Sequence, residues 1–283
     1  MVTPFGEDGS VNYSVAEALA AHLVDNGSDG LVVCGTTGES PTLSWDEEFQ
    51  LYKCVKSAVG DRAKVIVGTG SNSTQEAIEA TQKAAALNLD GSLQVVPYYH
   101  KPTQAGLLAH YSAVADAVDM PQILYNVPGR TACDLLPETA AELSRVPNII
   151  GIKDATGDLA RVEQLRRLCD DGFALYSGDD ASACEFMLRG GDGVISVTSN
   201  VAPRLMAQMC AAALAGDREH ALACNQRLDG LHHALFVESN PIPVKWAMHV
   251  MGLSPEGIRL PLTWLTAHCH EAVRAAMVRA GVL

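Results

Sequence analysis

Short apolar runs recur along this chain, each followed by a turn and then by one helix-sized amphipathic segment. The runs cover residues 30–34, 64–67, 92–96, 122–127, 149–153, 174–177 and 193–197. Apolar runs of this length bounded by turn residues read as buried strands, and single intervening helices make the strands parallel. The helix starts support the alternation. Residues 12–26 read as a helix capped by Asn12 or Ser14 and ended at Asn26-Gly27. Ser44 followed by Glu47 is a capping box, and Ser73 with Glu76 repeats the pattern. With Met1-Val2-Thr3 as a remnant first strand the tally reaches eight, the number that closes a (β/α)8 TIM barrel. Right-handed crossovers then place every strand's C-terminal end on one face. A strand usually has about five or six residues, so either a late start or a shortened strand accounts for the first one. After about Pro203 the strand pattern stops, and helical patterns broken at Gly216, Pro241-Ile242-Pro243, Gly252 and Pro261 continue to Leu283. The expectation is an α/β barrel over residues 1–215 with a small helical region over 216–283.

Composition narrows the partners. A formal net charge of -13 opposes nucleic acid and anionic membrane, both of which need basic patches. No apolar run approaches the roughly 20 residues of a membrane helix, and no basic-then-apolar signal follows Met1. Eight cysteines lack the tight spacings of zinc sites. Reduced thiols in the cytoplasm are expected.

In a parallel barrel the chemistry sits at the C-terminal strand ends, so those residues matter most. Lys153 ends the run Ile149-Ile150-Gly151-Ile152, and of the seven lysines it alone stands at such an end. Lysine normally stays in water; one held in apolar surroundings becomes an amine nucleophile able to form a Schiff base with a carbonyl. A lysine merely leaving the strand for solvent is the blander account. The turn Gly35-Thr36-Thr37-Gly38-Glu39 offers backbone N–H groups and two hydroxyls to an anion. Tyr125 can relay protons, and Arg130, after a Pro-Gly turn, can clamp a carboxylate. Tyr98-Tyr99 are a pair of phenols of which only one can point inward. Gly178 and the segment around Ile195 leave room for a substrate. Among histidines only His100 falls on that face, and no dinucleotide glycine fingerprint appears, so neither a metal nor a cofactor is expected.

Taken together, Gly35-Thr36-Thr37-Gly38-Glu39, Tyr125-Asn126-Val127-Pro128-Gly129-Arg130-Thr131, Gly151-Ile152-Lys153-Asp154 and Asn240-Pro241-Ile242-Pro243-Val244-Lys245 resemble the dihydrodipicolinate synthases. These belong to the N-acetylneuraminate lyase superfamily of Schiff-base aldolases. The resemblance runs in register over nearly the whole chain. It implies that Lys153 condenses with pyruvate, that Tyr125 shuttles protons with Thr36 as its relay, and that Tyr99 completes the relay of a neighbouring subunit. It further implies that Thr37 cradles the pyruvate carboxylate, that Arg130 clamps L-aspartate 4-semialdehyde, and that Gly178 and Ile195 line the pocket, Ile195 through its carbonyl. A tight dimer, usually paired into a homotetramer, follows from the shared tyrosine. Ser40, Asn72, Glu76 and Tyr98 match a site where lysine inhibits many members, although Trp45 and Glu48 stand where some inhibited enzymes carry histidines. Two rivals remain: another superfamily aldolase, acting on N-acetylneuraminate or a 2-keto-3-deoxy sugar acid, and a catalytically idle pyruvate-binding protein. Thr36-Thr37, Tyr99 and Arg130 favour the synthase over the first.

Overall fold

A computed structural model describes residues 1–283. All seven runs form strands: β1 (Gly30–Val33), β2 (Lys64–Gly68), β3 (Gly91–Val95), β4 (Gln122–Asn126), β5 (Ile149–Asp154), β6 (Ala174–Ser177) and β7 (Gly193–Val194). They lie in chain order in one seven-stranded sheet, and β2 to β7 pair in parallel. Neighbours in sequence are neighbours in the sheet, as successive strand–helix units require. The C-terminal ends of β2 to β7 therefore share one edge.

Register decides which side chains share a face. Leu124, Ile152 and Leu175 are successive cross-strand partners. All three are buried in one core with Leu107, Tyr111, Leu143 and Leu165 of the flanking helices. Side chains alternate along a strand. Tyr125, Lys153 and Tyr176, each one residue further along and again in register, therefore stand on the opposite face of the sheet.

The start signals translate into caps. Asn12 accepts from the Val15 N–H at 3.2 Å and opens the helix Tyr13–Asp25. The Ser44–Glu47 box closes in both directions, at 3.3 and 2.8 Å. At Ser73 only half of the expected box forms: its hydroxyl accepts from Glu76 N–H, but the Glu76 carboxylate accepts from Ser71 Oγ at 2.8 Å instead.

Two strand expectations need correction. Met1-Val2-Thr3 is not a strand, so the sheet has seven strands and not eight. Its ties are single bonds to scattered partners: the Met1 amine to Val32 O at 2.8 Å, Val2 N–H to Asn200 Oδ1 at 3.0 Å and Thr3 Oγ1 to Gly38 O at 2.6 Å. A ladder needs consecutive backbone pairs, and this segment forms no such run. The run 193–197 also stops early, at Val194. Ile195 N–H still reaches Ser177 O, but Ser196 Oγ then accepts from Ser199 N–H and draws the chain into a turn.

Helices Pro203–Leu214, Arg218–Ala234, Ile242–Val250 and Ala267–Ala280 complete the chain, interrupted where the glycines and prolines predict. The chain forms two compact units, one of Met1–Val65 with Ser196–Leu283 and one of Ile66–Ile195. No helix is long and apolar enough to cross a membrane, and the cysteines form no disulfide.

Candidate active site

Within the unit Ile66–Ile195, the ends of β4, β5 and β6 assemble a lysine site. Tyr125 and Lys153 are direct cross-strand partners. The Lys153 Nζ sits 4.1 Å from the centroid of the buried Tyr125 ring. The negative face of a phenol ring attracts a cationic group at such a distance, and the lysine stem is half-buried. Gly178 makes this possible. A Cβ on Gly178 would come within 2.9 Å of Lys153 Cε and 2.7 Å of Ala155 Cβ. The Gly178 N–H is itself fixed on Asp154 O at 2.7 Å. Ile195 is tied beside the end of β6 by its N–H to Ser177 O at 2.9 Å.

The residues after Tyr125 and Lys153 lock the two strand ends together. Asn126 and Asp154 are register partners, and Asn126 Nδ2 donates to Asp134 Oδ1 at 2.7 Å and to Asp154 Oδ2 at 3.3 Å. The buried Arg161 guanidinium bridges Asp154 and Asp134, each at 3.1 Å, and donates to Leu135 O at 2.6 Å. Every partner in this network is hydrogen-bonded, the condition for a buried charge cluster to hold geometry.

Arg130 lies exposed in the single turn Pro128–Thr131 that follows β4. Tyr99 is 86% exposed, with φ +78°, so it projects away from its own chain. Of the four residues expected to bind an inhibitor, the structure joins Asn72 to Tyr98 O at 3.5 Å and leaves Glu76 exposed nearby, on the helix that Ser73 caps.

The unit Met1–Val65 with Ser196–Leu283 carries the threonine turn. Thr36–Gly38 form a short 3-10 turn after β1, and Glu39 leaves it in the left-handed region at φ +56°. Thr37 Oγ1 accepts from Asn240 Nδ2 at 3.0 Å. The Glu39 carboxylate is fully buried, paired with Lys245 Nζ and accepting from Arg259 N–H at 3.1 Å. Ser40 Oγ donates to Glu48 Oε1 at 2.8 Å. Burial pushes the Glu48 carboxyl up to about 7.

Sequence reasoning passed over several participants. Tyr176 was legible, since strand alternation from Lys153's neighbours puts it on the same face. Asp154 and Lys245 stood inside quoted motifs without a role, and no local pattern marks Arg161. The structure also draws Glu238, His268 and Cys269 together, with potential metal-ligand atoms within 4.8 Å of one another.

A lysine nitrogen on a tyrosine ring, at adjacent ends of parallel strands, is an arrangement that Schiff-base chemistry can use. Comparison with known proteins narrows this. The model of the dihydrodipicolinate synthetase family matches residues 1–280. The chain is 59% identical, over its whole length and 97% of the relative's, to the 4-hydroxy-tetrahydrodipicolinate synthase of Methylococcus capsulatus. Its structure superposes with a TM-score of 0.98 on the chloride-inhibited dihydrodipicolinate synthase of Acinetobacter baumannii, solved in complex with pyruvate. That protein is 50% identical, over 100% of this chain and 97% of that one. The dihydrodipicolinate synthase of Cyanidioschyzon merolae, solved with lysine bound, gives 0.97 at 49% identity with the same coverage. The chain belongs to the dihydrodipicolinate synthetase family.

Proposed function

We propose that the chain condenses pyruvate with L-aspartate 4-semialdehyde to give 4-hydroxy-tetrahydrodipicolinate, the reaction for which its relatives are named. The observation that carries this is the Lys153 amine, 4.1 Å from the centre of the Tyr125 ring. The amine attacks the pyruvate ketone and water leaves, giving a protonated imine. Loss of a methyl proton moves electrons into the imine and makes an enamine. Its carbon attacks the semialdehyde carbonyl, whose oxygen takes a proton. The substrate's own amine then displaces Lys153 as the ring closes. Each step moves a proton, which Tyr125 can carry, with Thr36 as the relay that family resemblance assigns. Thr37 holds the pyruvate carboxylate and Arg130 that of the semialdehyde, while Gly178 and Ile195 shape the pocket wall.

Finer points of the same reading follow. The exposure of Tyr99 supports its insertion into a neighbouring copy's site, hence a dimer and a tetramer built from two dimers. The Asn72–Tyr98 contact supports a lysine effector site that includes Glu76. Thiols without disulfides fit a reducing compartment such as the cytoplasm.

Turnover of pyruvate with L-aspartate 4-semialdehyde, set against N-acetylneuraminate cleavage, tests the assignment. The condensation should dominate; preference for cleavage would overturn it. Arg130→Ala should leave pyruvate imine formation intact and lower kcat/KM for the semialdehyde by roughly a hundredfold, the scale of a lost bidentate carboxylate contact. Equal loss of both steps would show Arg130 is not the clamp.

A further inference from the structure

The turn that carries Thr36 and Thr37 is gripped from behind by residues 240–259, which the reaction above does not use. Lys245 and Glu39 are 0% exposed and 206 positions apart. The second Glu39 oxygen takes the Arg259 N–H. The Phe5 ring supports both cations, 4.2 Å from Lys245 Nζ and 4.4 Å from the Arg259 guanidinium carbon. Arg259 in turn donates to Gly9 O at 2.9 Å and Thr42 O at 2.7 Å, and pairs with Glu47. A buried ion pair seldom stabilises more than apolar residues of the same volume would. What this pair supplies is position: it fixes the left-handed Glu39, the residue that ends the threonine turn.

Asn240, just before the helix Ile242–Val250 that bears Lys245, touches the turn directly. Its Nδ2 donates to Thr37 Oγ1 at 3.0 Å. A hydroxyl has one proton and two lone pairs. With the oxygen already accepting from the amide, the Thr37 proton is left to be donated elsewhere, and a carboxylate can only accept. We propose that Asn240, backed by the Glu39–Lys245 pair, is a positioning residue that sets the Thr37 hydroxyl as a donor to the carboxylate of the keto-acid substrate. The inference rests on the reading that Thr37 binds that carboxylate.

Asn240→Asp keeps the shape and replaces the donor by an acceptor, so the Thr37 proton turns inward and lone pairs face the substrate. Pyruvate KM, and the pyruvate dependence of borohydride-trapped imine, should rise about tenfold in Asn240→Ala and about thirtyfold or more in Asn240→Asp, the scale of lost and reversed hydrogen bonds. The Asp variant's pyruvate KM should climb further with pH as its carboxyl ionises, while the Ala variant's does not, and the semialdehyde KM should stay within about twofold in both. Lys245→Met should raise the pyruvate KM, and adding Glu39→Gln should restore most of the loss by removing the stranded charge. Should either Lys245 variant fail to fold, the Asn240 pair decides alone. Equal effects of Ala and Asp at position 240, or parallel increases for both substrates, would overturn the proposal. A Thr37→Val variant separates the failures. If it leaves pyruvate KM unchanged, the carboxylate reading itself falls; if it raises KM while Asn240→Asp is silent, only the Asn240 role falls.

Discussion

Glu48 is a carboxylic acid with 6% of its surface exposed, held by the Ser40 hydroxyl. Burial lifts it from 4.5 to about 7, so the folded chain binds its proton more tightly than the unfolded chain. The stabilisation is fully present below about 4.5 and is lost as pH rises through about 7. Glu48→Gln removes the ionising group while keeping the hydrogen bond. The variant should melt a few degrees higher than the parent at pH 8 and at nearly the same temperature at pH 5. Melting curves that stay parallel across that range would contradict the burial argument. His110 acts with the opposite sign. Burial lowers it to about 4, so its contribution is present above 6.5 and lost as pH falls through about 4. Comparing variant with parent at each pH removes this background. Single residues were legible where they broke a pattern, as Lys153 does at the end of an apolar strand. Glu48 and Lys245 broke none, because a charge on an amphipathic helix reads as solvated until packing shows otherwise.

At the level of elements, the decisive object is the join between β4 and β5. Tyr125 and Lys153 face each other because their strands are in register, and Arg161 holds the next residues of both strands together. Its guanidinium and the Asp154 carboxylate are 9% and 3% exposed. Arg161→Met should therefore cost about 3–5 kcal/mol in denaturant unfolding, the scale for stranding a buried charge. Pairing it with Asp154→Asn should recover a large part, and strictly additive losses would show that the pair is not coupled. Elements with local signals were readable: the Ser44–Glu47 box opens its helix as expected, and seven strands lie where apolar runs end in turns. The misses have local causes too. Glu76 found Ser71 closer than the Ser73 backbone, Ser196 bent β7 short, and Met1-Val2-Thr3 has too little backbone pairing to be a strand. Parallel pairing between runs far apart in the chain carries no signal inside either run, so the exact facing of Tyr125 and Lys153 needed the structure.

For the whole molecule, the chain leaves its first unit after Val65 and returns to it at Ser196. That return explains how Glu39 can find Lys245 and Thr37 can find Asn240, contacts no sequence window contains. It also joins the threonine turn and the C-terminal helices in one folded body. The central claim is that the Lys153 amine forms a covalent bond with a keto acid. Borohydride reduction of the full-length protein in the presence of pyruvate, followed by peptide mass spectrometry, tests it most directly. The account predicts one carboxyethyl group, on Lys153, dependent on pyruvate and absent from Lys153→Arg. An unmodified Lys153, or modification spread over the surface lysines, would contradict it.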